Sequence, residues 1–511
     1  MILNLFAQRP DHPLADAKEL KRILADLHVD KAAKAVDELR GWFETLRHAE
    51  HFRLDHFFDV LRQLDEAAQP HLRNLVRDYL QSPRLSKLEE ERQWARSYGY
   101  WDDVAALYDS CVERARLDPK SKGSDAFKAS LPLAVVRSQA ARCIQLKWLA
   151  YRYATAAEDL WKFLGSGYMA AEAAASAQKP VPLYPAQRGL ASVAQQYLHA
   201  VVFATSSMDS LTPLQIELAD RLIAHFLPYF VISPDCRPDS VYWVDAVTGS
   251  LPLRLARHPG PARPGLRFFS PGTAPQALDD LIHLVERGET PADLNLGGGY
   301  PPKVLLPVLR HLRVYWAWQP PQRQHRRHPV KTRMLVLRGF DESYTVFSGA
   351  RQSPAQAPGS ESWLVENISL GGFHAVLDDA PGERVKLGAL LCAQPEGGDN
   401  WLLGVARRFN RLGGQRASLG VQVLSRNALS IELRPRRSGF SAAIAIPAIW
   451  LRDGGDAGVE RILLPIGGFN VREAVEFQHQ NRLLSLTPVE LVETGSDYEI
   501  GRFHSQSPLT V

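Results

Sequence analysis

Apolar residues recur at helical spacing from about Ala15 to Pro228. Leu20, Ile23, Leu24 and Leu27 form one stripe, Val36, Leu39, Phe43 and Leu46 a second, and Leu72, Leu75, Val76, Tyr79 and Leu80 a third. Residues 1–228 are therefore expected to be all helical. Pro70, Pro83, Pro119 and the Pro180 to Pro185 stretch should divide them into antiparallel pieces of an array or bundle. No residue period repeats three times, as a solenoid would require. From residue 229 to 320 the texture is mixed. A hairpin is expected between Ser240 and Arg254, turning at Thr248-Gly249, followed by helices near Pro275 to Arg287 and Pro301 to Trp316.

After Pro320-Pro321 the pattern changes to short runs of Val, Leu, Phe and Trp, broken by Gly, Asp and Asn about every ten residues. That spacing predicts antiparallel strands closing into a barrel over 321–436, with Arg338 to Phe347 and Trp363 to Leu377 as candidate strands. Residues 437–511 read as a further strand-rich unit. The fold class expected is a multidomain α+β chain.

Composition narrows the chemistry. Lys plus Arg number 60 against 56 for Asp plus Glu, too even a balance for a protein coated along its length in nucleic acid, so any basic site must be local. The four cysteines, Cys111, Cys143, Cys236 and Cys392, are too scattered for a zinc knuckle or a disulfide framework, which suits a reducing cytoplasm. The longest apolar stretch, around Ala442 to Leu451, contains Pro447 and falls well short of the ~20 residues a membrane helix needs. No membrane insertion is expected.

One local concentration of charge stands out. Arg323, Arg326, Arg327, Lys331, Arg333 and Arg338 lie within eighteen residues with no acid among them. Alone, this is an ordinary solvated charge run. Some forty residues on comes Asn367-Ile368-Ser369-Leu370-Gly371-Gly372, a polar turn between two apolar runs. A carboxamide, a hydroxyl and a glycine backbone at such a junction can present donors and acceptors to a planar edge, while guanidinium groups fork onto phosphate or onto guanine O6 and N7. The two elements together describe a nucleotide site.

The pair RxxxR, here Arg323 to Arg327, followed by [DN]xSxxG, here Asn367, Ser369 and Gly372, resembles the signature of the PilZ domain, the bacterial receptor for the second messenger cyclic di-GMP. Arg327-His328-Pro329-Val330 is similar to the family's entry to its first strand, and Gly404 to Arg408 and Leu419 to Val423 are similar to its late strands. The resemblance covers about 320–436 and departs from the family in a long insert, Ser348 to Ser362. It implies a ligand, cyclic di-GMP, gripped by Arg323 and Arg327, with Arg326 as a further cation and Asn367, Ser369 and Gly372 at a guanine edge.

Other chemistry is weaker. Asn-Ile-Ser-Leu-Gly has Asn367 where a nucleophile elbow needs glycine. His48, His51 and Asp55 share a helix face at metal-compatible spacing, but helix faces carry polar residues routinely. Gly297 to Tyr300 lacks the lysine of a phosphate loop, and Gly454-Gly455-Asp456 has no Glu-Phe after it. The expectation is a cytoplasmic signalling effector that is not an enzyme, with no metal and no cofactor besides its nucleotide ligand. It would engage a protein partner through its helical half and no nucleic acid. The alternative is a helical adaptor whose barrel no longer binds ligand usefully.

Overall fold

The computed structural model describes residues 10–27, 31–81, 85–185, 189–256, 259–261, 263–319, 325–350, 359–378, 386–413, 416–436, 445–453 and 458–506. The chain divides into two compact units, Met1–Pro321 and Gln322–Val511.

The first unit is helical. Its helices are α1 (Ala17–Asp26), α2 (Ala32–Arg47), α3 (Leu54–Gln81), α4 (Lys87–Leu117), α5 (Ser124–Phe127), α6 (Leu131–Tyr151), α7 (Glu158–Ala173), α8 (Val193–Thr205), α9 (Pro213–Phe226), α10 (Ala274–Glu286) and α11 (Pro302–Tyr315). Local sequence starts several of them. Ser86 and Glu89 close a capping box on α4, the Glu89 N–H donating to Ser86 Oγ at 3.3 Å and the Ser86 N–H to Glu89 Oε2 at 3.0 Å. Ser192 and Gln195 do the same for α8. Pro70 does not divide the chain as its type suggests. It sits inside α3, where burial of Leu61, Leu64, Leu72 and Leu75 along one face outweighs the ~3 kcal/mol that an interior proline costs.

Helix α6 runs through the core and buries polar residues that its neighbours pair. Arg137 lies 2.6 Å from Glu66 and 3.4 Å from Asp65, while Lys147 lies 2.8 Å from both Glu217 and Asp220. Four strands complete the unit: β1 (Val231–Ser233), β2 (Tyr242–Asp245), β3 (Leu253–Arg254) and β4 (Leu266–Ser270), in sheet order β1-β4-β2-β3. The β2–β3 pairing is the expected hairpin, with Gly249 at φ 70° in its turn.

The second unit holds two closed six-stranded antiparallel barrels. The first is built from β5 (His328–Arg338), β6 (Glu361–Ser369), β7 (Gly372–Leu377), β8 (Leu390–Pro395), β9 (Leu402–Arg411) and β10 (Ala417–Ser425), in the order β10-β7-β6-β5-β8-β9. The second is built from β11 (Ala428–Pro435), β12 (Ile446–Leu451), β13 (Val459–Leu464), β14 (Val475–His479), β15 (Arg482–Thr494) and β16 (Glu499–Gln506), in the order β11-β12-β13-β16-β15-β14.

Two expectations change here. Ala428–Pro435 does not end the first barrel but is a stave of the second, because β11 pairs with β12 and β14 rather than with β10. Arg338 to Phe347 is not a strand: β5 stops at Arg338, and α12 (Phe340–Phe347) follows. Gly339 at φ 96° turns the chain out of the strand, and Phe340, Tyr344 and Phe347 then fall on one helical face. That face packs on a core shared by the barrels, in which Leu390, Leu403 and Val405 meet Ile449, Leu463 and Ile500.

Candidate functional site

In an ideal strand the side chains alternate between faces, so the inward Val365 of β6 should put Asn367 inward as well. It does not. The register shifts between Val365 and Asn367, where Glu366 is an extra residue opposite β7. Asn367 then pairs with His374, and Ile368 takes the inward place beside buried Phe373. Two further bulges occur at the same level of the barrel. On β5 the register shifts between Pro329 and Thr332, and on β9 Arg407 is the extra residue opposite Gly420-Val421 of β10. The three irregularities fall on one row of cross-strand neighbours, Pro329, Asn367, His374, Gly420 and Arg408. Bulges re-aim side chains, and here they turn a polar set outward.

The motif turn sits beside this row. Ser369 and Gly372 face each other across the two-residue connection of β6 and β7, and Ser369 Oγ donates to the Gly372 carbonyl at 3.1 Å. Gly372 must be glycine, because a Cβ there would come within 2.1 Å of the Val421 carbonyl oxygen on β10. From outside, Arg426 fixes the turn: its Nη2 donates to the Leu370 carbonyl at 2.7 Å and to the Ser369 carbonyl at 3.4 Å. The Arg426 backbone N–H donates to Asp453 Oδ2 at 2.7 Å, which ties the turn to the second barrel.

The described part of the arginine segment enters beside this turn. Pro329 pairs with Asn367 and His328 with Ile368, so residues 325–327 arrive at the turn end of β6. His325 lies against Gly371, its Cδ2 3.2 Å from where a Cβ on that glycine would stand. Arg326 and Arg327 are exposed. Arg327 also reaches the field of His374, whose pKa is lowered chiefly by burial, against an upward pull from Glu366 and with a smaller lowering from Arg327. The His374 Nδ1 lies 3.6 Å from Glu366 Oε2. Of the six residues singled out from sequence, Arg326, Arg327, Asn367, Ser369 and Gly372 meet at one end of the first barrel. Arg323 lies outside the described residues.

Sequence reasoning missed His374, Arg408 and Arg426. The first two are joined to the motif only by strand register, and Arg426 only by the path of the chain after β10. The Arg407-Arg408 doublet and the glycine at 420 were visible, but nothing local pairs them. Among the described residues no group of three or more His, Cys, Asp or Glu is placed to hold a metal ion. No helix there is long and apolar enough to cross a membrane.

Comparison with known proteins bears on the other unit. Residues 18–237 match the family described as cyclic-di-GMP receptor FimW, N-terminal domain, which covers the helices from α1 to α9 and somewhat under half of the chain. No curated protein and no solved structure matches.

Proposed function

We propose that this chain is a non-catalytic cyclic di-GMP receptor whose first barrel is PilZ-like and binds the ligand, and whose helical unit carries the output. Two independent lines support this reading. The helical unit is similar to the N-terminal domain of a cyclic di-GMP receptor family, and the barrel carries the arginine and Asn-Ser-Gly elements, outside the matched residues. The observation that carries it is the bulge on β6, which turns Asn367 outward beside the incoming Arg327.

In this reading Arg323 and Arg327 grip phosphate and one guanine, with Arg326 adding charge, and Asn367, Ser369 and Gly372 receive the edge of the other guanine. The backbone of the turn is already held by Arg426, so little order has to be gained on binding. A mononucleotide could occupy one end of such a site and not both. Titration calorimetry of the full chain should give saturable binding of cyclic di-GMP and none of comparable strength for GMP, GTP or cyclic AMP. No heat with cyclic di-GMP at high micromolar ligand overturns the proposal.

A further inference from the structure

The outward row continues beyond the motif. His374 on β7 faces Gly420 on β10, and Gly420 faces Arg408 on β9. A glycine inside a strand weakens it and commonly marks a close approach. At Gly372 the approach is backbone, since an added Cβ would meet a carbonyl oxygen. At Gly420 it is different. The three atoms nearest an added Cβ all belong to the Arg408 side chain, Cβ at 3.2 Å, Cγ at 3.7 Å and Cδ at 3.9 Å. The aliphatic stem of Arg408 therefore lies over Gly420, the one position of β10 that has no side chain, and Gly420 is in turn the cross-strand neighbour of His374. The bulge at Arg407 sets this up: it puts two consecutive arginines at one level, Arg407 turned to Gln422 and Glu493 and Arg408 opposite Gly420.

We propose that Arg408, laid across Gly420, reads the O6 and N7 edge of the guanine whose other edge rests on Asn367 and Ser369, and so selects guanine over adenine. The inference rests on the reading of the barrel as a cyclic di-GMP site. The chemistry is that of a guanidinium fork. Guanine offers two acceptors, O6 and N7, in a spacing that two N–H groups of arginine match, whereas adenine puts an amino donor at the first of these places, facing a group that has only donors. A lysine would keep the charge and lose the fork.

The test is calorimetric titration of the full chain with cyclic di-GMP and with cyclic di-AMP, for the wild type, Arg408→Ala, Arg408→Lys and Gly420→Val, each checked by thermal melting. The wild type should prefer cyclic di-GMP. Arg408→Ala and Arg408→Lys should each lose about tenfold or more for cyclic di-GMP, leave cyclic di-AMP unchanged and so erase the preference. Gly420→Val should show the same loss with an unchanged melting temperature, because the added methyls displace the Arg408 stem. If Arg408→Ala keeps the wild-type preference, or Gly420→Val binds as the wild type does, the role of Arg408 is wrong while the receptor reading stands. A wild type that binds both dinucleotides equally also removes the role. If the wild type binds neither, the receptor reading falls and this inference falls with it.

Discussion

Arg137 in the helical unit and Arg327 on the first barrel are the same side chain under opposite conditions. Arg137 is 1% exposed, and every direction around its guanidinium is answered: Glu66 at 2.6 Å, Asp65 at 3.4 Å, the Tyr108 hydroxyl at 2.9 Å, the Leu183 carbonyl at 2.9 Å, and the Tyr184 ring with its centroid 4.6 Å away. Arg327 is exposed, follows a second arginine and leads into a strand edge shared with Asn367. The first arrangement consumes the charge inside the protein. The second places the arginine at the surface, where the strand it leads into pairs with the motif strand. The comparison sets an arginine whose charge is answered in the core against one exposed beside the proposed site, and substitution tests whether they differ in role.

The largest effect should come from Arg137→Ala. Truncation leaves Asp65 buried with no cation, a situation that costs about 3–5 kcal/mol. Burial already raises the Asp65 pKa, against a downward pull from Arg137 and from the Tyr108, Tyr100 and Tyr184 hydroxyls. The melting temperature of the full chain should fall by many degrees, whereas cyclic di-GMP affinity at a temperature where the variant is folded should be unchanged. A small shift in melting would mean that the buried network is not what holds α3 against α6.

Next come Arg327→Ala and Asn367→Ala, which should do the reverse. In the proposed site each removes one polar contact to the ligand, worth about 1.5–3 kcal/mol where it is charge-assisted, so titration should show a loss of tenfold or more for Arg327→Ala and somewhat less for Asn367→Ala. Melting should stay within about 0.5 kcal/mol of the wild type in stability, as for surface substitutions generally. A destabilised, tight-binding Arg327→Ala would erase the distinction between the two arginines.

How much of this was legible in the sequence follows the range of the forces involved. The helices of residues 1–228 and the hairpin at 240–254 were visible because their periodicity and turn chemistry are local. Pro70 and the stretch 338–347 misled because tertiary packing decides both: burial overrode the proline, and a short stretch with apolar positions at Phe340, Tyr344, Val346 and Phe347 is ambiguous between strand and helix until its partners are known. Asn367, Ser369 and Gly372 could be read as a motif, and the entry of the arginine segment beside them is a matter of β5–β6 register. The row that extends to Gly420 and Arg408 could not be read at all. It exists because β10 closes the barrel against both β7 and β9, and the bulges that align it are properties of pairing rather than of sequence.

A third pair sharpens the comparison within the barrel unit. Arg407, the neighbour of Arg408, makes two 2.7 Å hydrogen bonds to Glu493 of the second barrel and a third to Gln422. Burial would raise the Glu493 carboxyl, but the bonds from Arg407 and from Tyr498 hold it below the ordinary carboxylate range. Its stabilisation is therefore complete above the ordinary pKa and is lost as the pH falls through the folded value. Glu493→Gln should cost about 1 kcal/mol at pH 7 in denaturant unfolding, and the difference from the wild type should shrink as the pH falls below the ordinary Glu pKa of about 4.3. A difference that is flat with pH would show that Glu493 holds the barrels together by packing rather than by charge.

The smallest effect expected is the one that isolates geometry from charge. Arg333 lies on the strand that the arginine segment leads into and carries the same charge, but it sits opposite Leu364, one bulge further along β5 and away from the turn, with its Nη1 3.3 Å from Ser362 Oγ. From there it can contribute only screened attraction to a dianion, which weakens over about 8–10 Å at physiological ionic strength. Arg333→Ala should therefore change cyclic di-GMP affinity by no more than about two- to threefold, less than a 0.7 kcal/mol effect, and that small change should vanish when salt is raised. The Arg327→Ala loss should persist in salt, because a desolvated fork is screened far less than an exposed charge. Equal losses for the two variants, both removed by salt, would mean that the basic segment acts as a diffuse field and that the register of Pro329 against Asn367 has no part in recognition.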